Sequence, residues 1–250
     1  ILAGNNWLQN LTMLSFLIMT VSFAVTGLKS IGLLYMIALI ALVGSLYTIR
    51  LLSRPMIIYL IGLLFRSIYR VDVQNLQHLP KQGSVLLLGN HISWLDWAIV
   101  QLVSPRPIRF VMDRNYYQRW YLRWFLDFFR VIPIASGHSK TALQKTNEAL
   151  KAGEIICLFP EGAISHSGQL SDFKRGFEKT VDGVDGTIIP FYLHGLWGSR
   201  FSRSAEKQYE LGKSGWRRRL KVSFGEAMPI TATADEVKRS VLDLSQPLGE

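Results

Sequence analysis

Two stretches near the N-terminus, residues 11–28 (LTMLSFLIMTVSFAVTGL) and 31–49 (IGLLYMIALIALVGSLYTI), contain no charged residue, and each is about as long as a helix must be to cross a bilayer. Only Lys29 and Ser30 separate them, so the pair predicts a transmembrane helical hairpin. Arg50, Arg54, Arg66 and Arg70 follow the second stretch, and the preference of Lys and Arg for the inner side of a membrane puts the following domain on the cytoplasmic face of the cell inner membrane. Two buried helices of a soluble bundle, or a re-entrant hairpin, are the alternatives that an all-round apolar pattern leaves open. The chain opens on Ile without a basic leader, which argues against a signal peptide and is expected of a fragment of a longer protein.

Composition reinforces this division. Hydrophobic residues make up 49% of the 250, yet the formal charge is +10, so apolar and basic material must be segregated. The first charged residue is Lys29, and most Lys and Arg lie after Arg50. A basic domain beside a membrane favours anionic headgroups, phosphate-bearing substrates or acidic carrier proteins. Nucleic acid is the weaker reading, because the basic residues follow no helix-turn-helix, zinc-finger or aromatic RNA-binding pattern. The single cysteine, Cys157, excludes an internal disulfide and a cysteine-based zinc site; in the run Ile155-Ile156-Cys157-Leu158-Phe159 it reads as a small buried hydrophobe.

The chain therefore divides into a membrane hairpin at 1–54, an apolar segment at 55–70 opened by Pro55 and too short to span, expected along the membrane interface, and a domain at 71–250. In that domain strands are expected at 71–76, 84–90, 108–112, 131–134, 155–159, 187–193 and 220–224. Helices are expected at 94–103, 116–129 and 139–152. Alternation of this kind predicts an α/β fold, a central mixed sheet covered by helices.

The first chemical constellation is Asn90-His91-Ile92-Ser93-Trp94-Leu95-Asp96, where a buried strand ends and a helix begins. On one continuous helix His91 and Asp96 would point to different faces, so they meet only if His91 lies in the loop and Asp96 in the first helical turn. Ser93 reads as the N-cap and Asp96 as the acidic member of a capping box, a local role that competes with catalysis. A carboxylate on one imidazole nitrogen fixes the tautomer and leaves the other nitrogen to take a proton from an alcohol. The second constellation, Leu158-Phe159-Pro160-Glu161-Gly162, also ends an apolar strand, with a glycine that permits close approach to the backbone.

NHISWLD followed by FPEG resembles the HxxxxD and FPEG blocks of the glycerophospholipid acyltransferase family, which includes the lysophosphatidic acid acyltransferases. Val131-Ile132-Pro133-Ile134 resembles the second block of that family and Ile188-Ile189-Pro190-Phe191 the fourth, and Phe173-Lys174-Arg175-Gly176 its basic segment. The resemblance implies acyl transfer from an acyl thioester, on acyl carrier protein or coenzyme A, to a lysophospholipid hydroxyl. It makes His91 the general base and Asp96 its orienting partner, and it assigns Glu161, Gly162, Lys174 and Arg175 to the acceptor site. No resident cofactor and no metal are implied.

The departures bear on the acceptor. Many members follow the EG pair with Thr-Arg-Ser, but this chain has Ala163-Ile164-Ser165, and Ala135-Ser136-Gly137-His138 stands where another arginine is often found. A phosphodiester headgroup, as in lysophosphatidylethanolamine, is therefore the expected acceptor, with 1-acylglycerol-3-phosphate the alternative; a lipid-binding domain without catalysis is a reading of another class. The junction of apolar helices with FPEGAIS resembles bacterial fusions of a lysophospholipid transporter with an acyltransferase and sometimes an acyl-acyl-carrier-protein synthetase.

Other features carry less. His138, His166 and His194 lack ligand spacing. Trp120, Tyr121, Trp124, Phe125 and Phe128 form a helical stripe expected in packing, with a membrane-facing role as the sharper reading. Trp216-Arg217-Arg218-Arg219 with Lys221 reads either as a solvated sheet edge or as a contact for anionic lipid or an acidic carrier protein.

Overall fold

The structure, a computed structural model, describes residues 13–18, 20–21, 30–135, 140–204 and 218–246. It divides into two compact units, Ile1–Tyr59 and Leu60–Glu250. In the first, residues 13–18 and 20–21 are helical, and the helix α1 begins at Ser30 and runs to Ile68. Most of the expected first hairpin helix, including residues 22–28, lies outside the described residues. Among the described residues no helix is long and apolar enough to cross a membrane, so the transmembrane hairpin is not found. The expected break at Pro55 is also corrected, because α1 continues through it. A proline removes one backbone donor, and apolar helix-forming sequence on both sides carries the helix past that loss. Leu39, Val43, Leu46 and Tyr47 of α1 are exposed.

In the second unit an eight-stranded sheet forms in the order β1-β7-β6-β2-β5-β3-β4, with the short β8 paired to β6. The strands are β1 (Tyr69–Gln74), β2 (Ser84–Gly89), β3 (Ile108–Asp113), β4 (Ile132–Ile134), β5 (Ile155–Leu158), β6 (Gly186–His194), β7 (Arg218–Phe224) and β8 (Met228–Pro229). β2, β3, β4, β5 and β6 run parallel to one another, whereas β7 and β8 are antiparallel to β6 and β1 is parallel to β7. The sheet is thus mixed, as expected.

The central strand shows why the sequence folds this way. All six residues of β2, SVLLLG, are buried, as a strand covered on both faces must be. Val85 and Leu87 pack with Ile99 and Val100 of α2 (Asp96–Val103). Leu86 and Leu88 point the other way, into a layer with Ala149 and Leu150 of the later helix Lys140–Lys151 and Val237 and Val241 of the last helix, Ala234–Asp243. Each such buried leucine, isoleucine or valine contributes about 1.5–3 kcal/mol.

The expected aromatic helix at 116–129 is two helices, α3 (Arg114–Tyr117) and α4 (Trp120–Phe128). They are followed by α5 (Lys140–Lys151) and α6 (Ala234–Asp243). α6 and the 3₁₀ turn Arg175–Thr180 were not among the expected elements. β7 lies inside the sheet between β1 and β6. Its arginines therefore do not mark a solvated edge: Arg218 donates from Nε to the Gly195 carbonyl at 2.6 Å and from Nη2 to the Trp197 carbonyl at 2.5 Å.

Candidate active site

β2 and β5 are parallel neighbours with Leu88 opposite Leu158, so the segments that follow them leave the sheet side by side at its carboxyl edge. Asn90-His91 and Phe159-Pro160-Glu161 are therefore brought together by strand pairing. The last residue of β2 must be small: a Cβ on Gly89 would meet both the Phe191 ring and the Phe191 carbonyl oxygen at 2.6 Å. Beyond it, Asn90 is fully buried and behaves as an extra rung of the sheet. Its Nδ2 donates to the Leu193 carbonyl at 3.1 Å, and its Oδ1 accepts from the Leu193 N–H at 2.7 Å.

His91 is held at its backbone from both sides. Its N–H donates to Glu161 Oε1 at 2.7 Å, and its carbonyl accepts from the Ser165 N–H, also at 2.7 Å. The ring stacks on Phe159 with centroids 4.2 Å apart and planes 12° from parallel. Nδ1 lies 2.8 Å from Asp96 Oδ2. That same carboxylate oxygen accepts from the N–H groups of Ile92 at 2.7 Å and Ser93 at 3.0 Å. Because the carboxylate is an acceptor there, Nδ1 carries the proton and donates, and Nε2 keeps its lone pair. The side chain is 22% exposed, so that lone pair is within reach of a substrate, whereas Asp96 is fully buried.

Of the expected capping box at this helix the acidic half is formed, the Ser93 N–H donating to Asp96 Oδ2, and the hydroxyl half is not. The N-cap of α2 is Leu95, Asp96 is the first helical residue, and the Ser93 Oγ accepts only from the Leu95 N–H at 3.1 Å. Asp96 reaches back to the loop, where one oxygen accepts from both Ser93 and His91, so the local role and the His91 contact coexist. Burial pushes the Asp96 carboxyl above its ordinary value of 3.8, against the opposing pull of His91 and the two amides. Its Oδ1 has no hydrogen-bond partner among the described residues.

Glu161, also buried, uses its two oxygens on two different loops: besides His91, it accepts from the Ser171 N–H at Oε2, at 2.9 Å. Burial raises its carboxyl above 4.5, with the Ser171 and His91 amides opposing. The chain from Ser171 is tied down again where the Lys174 N–H donates to the Pro160 carbonyl at 2.9 Å. Gly162 has φ +75, and the Lys174 side chain lies directly over it, where a Cβ would collide with the ammonium end. The structure thus brings His91, Asp96, Glu161, Gly162 and Lys174 together. Arg175 is not among them; its guanidinium is 3.6 Å from Asp235 at the start of α6.

Three contributors were not singled out from sequence: Asn90, the Phe159 ring and the Ser165 amide. The first two lie inside the motifs, but their contacts depend on which strands are neighbours. The other histidines are dispersed. His166 Nε2 is 2.7 Å from Arg203 Nη1, His194 Nε2 is 3.1 Å from the Leu244 carbonyl, and His138 lies outside the described residues. Among the described residues no three His, Cys, Asp or Glu side chains are grouped to hold a metal ion. Cys157 is fully buried, and its thiol is pushed well above 9.0 by burial, with the charge of Asp96 adding to the shift. It has neither the access nor the ionisation of a nucleophile.

Comparison with known proteins places the chain in a family. Residues 70–194 match the family model described as Acyltransferase. The chain is 26% identical over 132 residues to the chloroplastic 1-acyl-sn-glycerol-3-phosphate acyltransferase of Arabidopsis thaliana, covering 51% of this chain and 36% of that one. It is 27% identical over 184 residues to the 1-acyl-sn-glycerol-3-phosphate acyltransferase of Pseudomonas aeruginosa, covering 71% and 65%. The chain thus spans less than two thirds of either relative's length. The fold is similar to the crystal structure of a 1-acyl-sn-glycerophosphate acyltransferase from Thermotoga maritima, with a TM-score of 0.59, 18% identity, and coverage of 80% of this chain and 85% of that one.

Proposed function

This chain belongs to the acyltransferase family, and from that membership we propose that it moves a fatty acyl group from an acyl thioester to the hydroxyl of a lysophospholipid. The observation that carries the reading is the His91–Asp96 pair, which ties down Nδ1 and leaves Nε2 as a base within reach of solvent. In this reaction the acceptor hydroxyl gives its proton to Nε2 as its oxygen attacks the thioester carbonyl carbon. The C–O ester bond forms, the C–S bond breaks, and the imidazolium returns the proton to the departing thiolate. Asp96 stabilises the imidazolium while it lasts. No covalent acyl-enzyme is needed, in keeping with the buried and protonated Cys157.

The donor is an acyl thioester of acyl carrier protein or coenzyme A, and the reaction takes place at the cytoplasmic face of a membrane. The exposed apolar side chains of α1 support membrane attachment. For the acceptor, Ala163-Ile164-Ser165 leaves the loop after Gly162 without a guanidinium, which supports a phosphodiester headgroup of the lysophosphatidylethanolamine kind. The names of the plant and Pseudomonas relatives support a second reading, with 1-acylglycerol-3-phosphate as acceptor and phosphatidic acid as product.

The test is to incubate membranes containing the wild-type chain, or His91→Ala, with each acceptor and a labelled acyl thioester, and to follow the diacyl product. Product that depends on His91 supports the reaction, and the faster acceptor decides between the two lipids. Undiminished turnover by His91→Ala would remove the proposed base. Absence of product from folded wild-type protein with every donor would leave a lipid-binding domain.

A further inference from the structure

The fold leaves a track of aromatic rings and arginines on the surface of the second unit, running from the loop that carries His91 to the far side of α4. Trp94, three residues after the base, is 42% exposed and meets Tyr116 edge-on at 4.9 Å. Arg119 lies over the same Tyr116 ring at 5.3 Å and donates to the Tyr121 hydroxyl at 2.9 Å. Tyr121 packs edge-on against Trp120 at 6.0 Å. Trp120 is 85% exposed and Trp124, one turn on, 66%. A tryptophan so open forgoes most of the burial its ring would otherwise gain, and two on one helical face are not explained by packing of the domain.

The inner face of the same helix is fully used. Phe125 and Phe129 close on Trp97 at 5.5 and 5.8 Å, and Leu126 is buried. Trp97 is the residue after Asp96, so the outer rings stand on a rigid stack joined to the catalytic helix. Arg114, Arg119 and Arg123 are exposed along the segment. Its acids are engaged locally: Asp113 accepts from the Asn115 N–H at 2.7 Å, and Asp127 accepts from the Tyr117 hydroxyl and pairs with Arg123 at 3.9 Å. Amphipathic aromatic rings beside arginines match a phospholipid interface with anionic headgroups, where rings sit at headgroup depth and guanidinium groups meet phosphate.

We propose that Trp120 and Trp124, with Tyr121 and Arg119, form a second membrane contact, separate from α1, that seats the catalytic domain on the bilayer surface. It deepens the acyl-transfer reading and rests on it for the lipid nature of the acceptor. Because the track begins at Trp94, docking would bring the mouth of the His91 site to the depth at which a lysophospholipid hydroxyl lies.

The test uses the full chain in vesicles of phosphatidylethanolamine and phosphatidylglycerol. Cys157 is buried, so a spin label can be directed to Trp120→Cys or Trp124→Cys, with Lys145→Cys on α5, which covers the other sheet face, as the water-exposed control. Labels at 120 and 124 are expected to relax more with oxygen than with a water-soluble nickel chelate, and the label at 145 the reverse. Water-like behaviour at 124 overturns the proposal. So does dipolar broadening that disappears on spin dilution, which means a second copy covers the face, or immobilisation only when acyl carrier protein is added.

A kinetic arm separates this contact from the reaction itself. In the Trp120→Ala/Trp124→Ala variant the apparent KM for acceptor presented in vesicles is expected to rise several-fold. Its turnover of a short-chain, monomeric lysophospholipid should match wild type, and equal losses on both acceptors would overturn the contact. Failure of the wild type on both would instead refute the acyl-transfer reading while leaving the label depths to stand on their own.

Discussion

A single oxygen of Asp96, Oδ2, receives three hydrogen bonds: from His91 Nδ1 at 2.8 Å and from the N–H groups of Ile92 and Ser93 at 2.7 and 3.0 Å. The imidazole and the loop that presents it are thus fixed by one buried carboxylate.

Asp96→Asn separates charge from shape. The amide oxygen can take the place of Oδ2 and accept from His91, Ile92 and Ser93, with the NH₂ at the Oδ1 position, so Nδ1 keeps its proton while the negative charge facing the imidazolium is lost. Acyl transfer is expected to fall about 10²-fold or more in kcat as the imidazolium loses that charge, while the circular dichroism spectrum stays that of the wild type. A loss of less than tenfold would mean that the charge of Asp96 does not support the base.

The buried carboxylates give stability a definite dependence on pH. Burial raises Asp96 above 3.8 and Glu161 above 4.5, so in the window between each ordinary value and its raised folded value the folded chain holds more protons than the unfolded one. Stability from these two groups therefore falls as pH rises through that window and does not change below it. Denaturation midpoints measured across the window should decline with pH. The decline should be shallower in Asp96→Asn, and an identical slope there would assign the effect to other groups.

Glu161→Gln tests the clamp between the two loops. Glu161 accepts two backbone N–H groups, one at each oxygen, and the amide of glutamine can accept only one of them. The other N–H, from His91 or Ser171, is left facing a donor. A stability loss of about 1–3 kcal/mol is expected, together with a fall in kcat as His91 loses its backbone anchor. If acceptor KM rises with kcat unchanged, Glu161 contacts the lipid instead of positioning the base.

Gly89→Ala probes how closely β2 approaches β6. The added Cβ meets Phe191 ring and carbonyl atoms at 2.6 Å, and the carbonyl cannot rotate away as a flexible side chain would. Chemical denaturation should show a loss of about 1–3 kcal/mol, and the displaced Asn90-His91 segment should lower kcat. Wild-type stability in this variant would show that the two strands can separate without cost.

Several elements were legible in the chain because local patterns suffice to define them. SVLLLG reads as a buried strand, and the α/β alternation followed from runs of that kind separated by amphipathic stretches. The start of α6 also carries a local signal in Thr233 and Glu236, whose capping box the structure forms in full. The split of the aromatic stretch at Gln118-Arg119 has no comparable signal.

The sequence by itself determined the identity and order of the chemical groups: a histidine and an aspartate around a strand end, a glutamate and glycine at another, and a basic segment beyond. Tertiary structure alone decided what those groups do to one another. Pairing of β2 with β5 puts Glu161 on the backbone of His91 and Phe159 on its ring, contacts between residues far apart in the chain that no local periodicity encodes. The same packing sends Arg175 to Asp235 while leaving Lys174 over Gly162. Residue type is written locally, but hydrogen bonds across a sheet depend on which strands become neighbours, and that is fixed only when the whole core is buried.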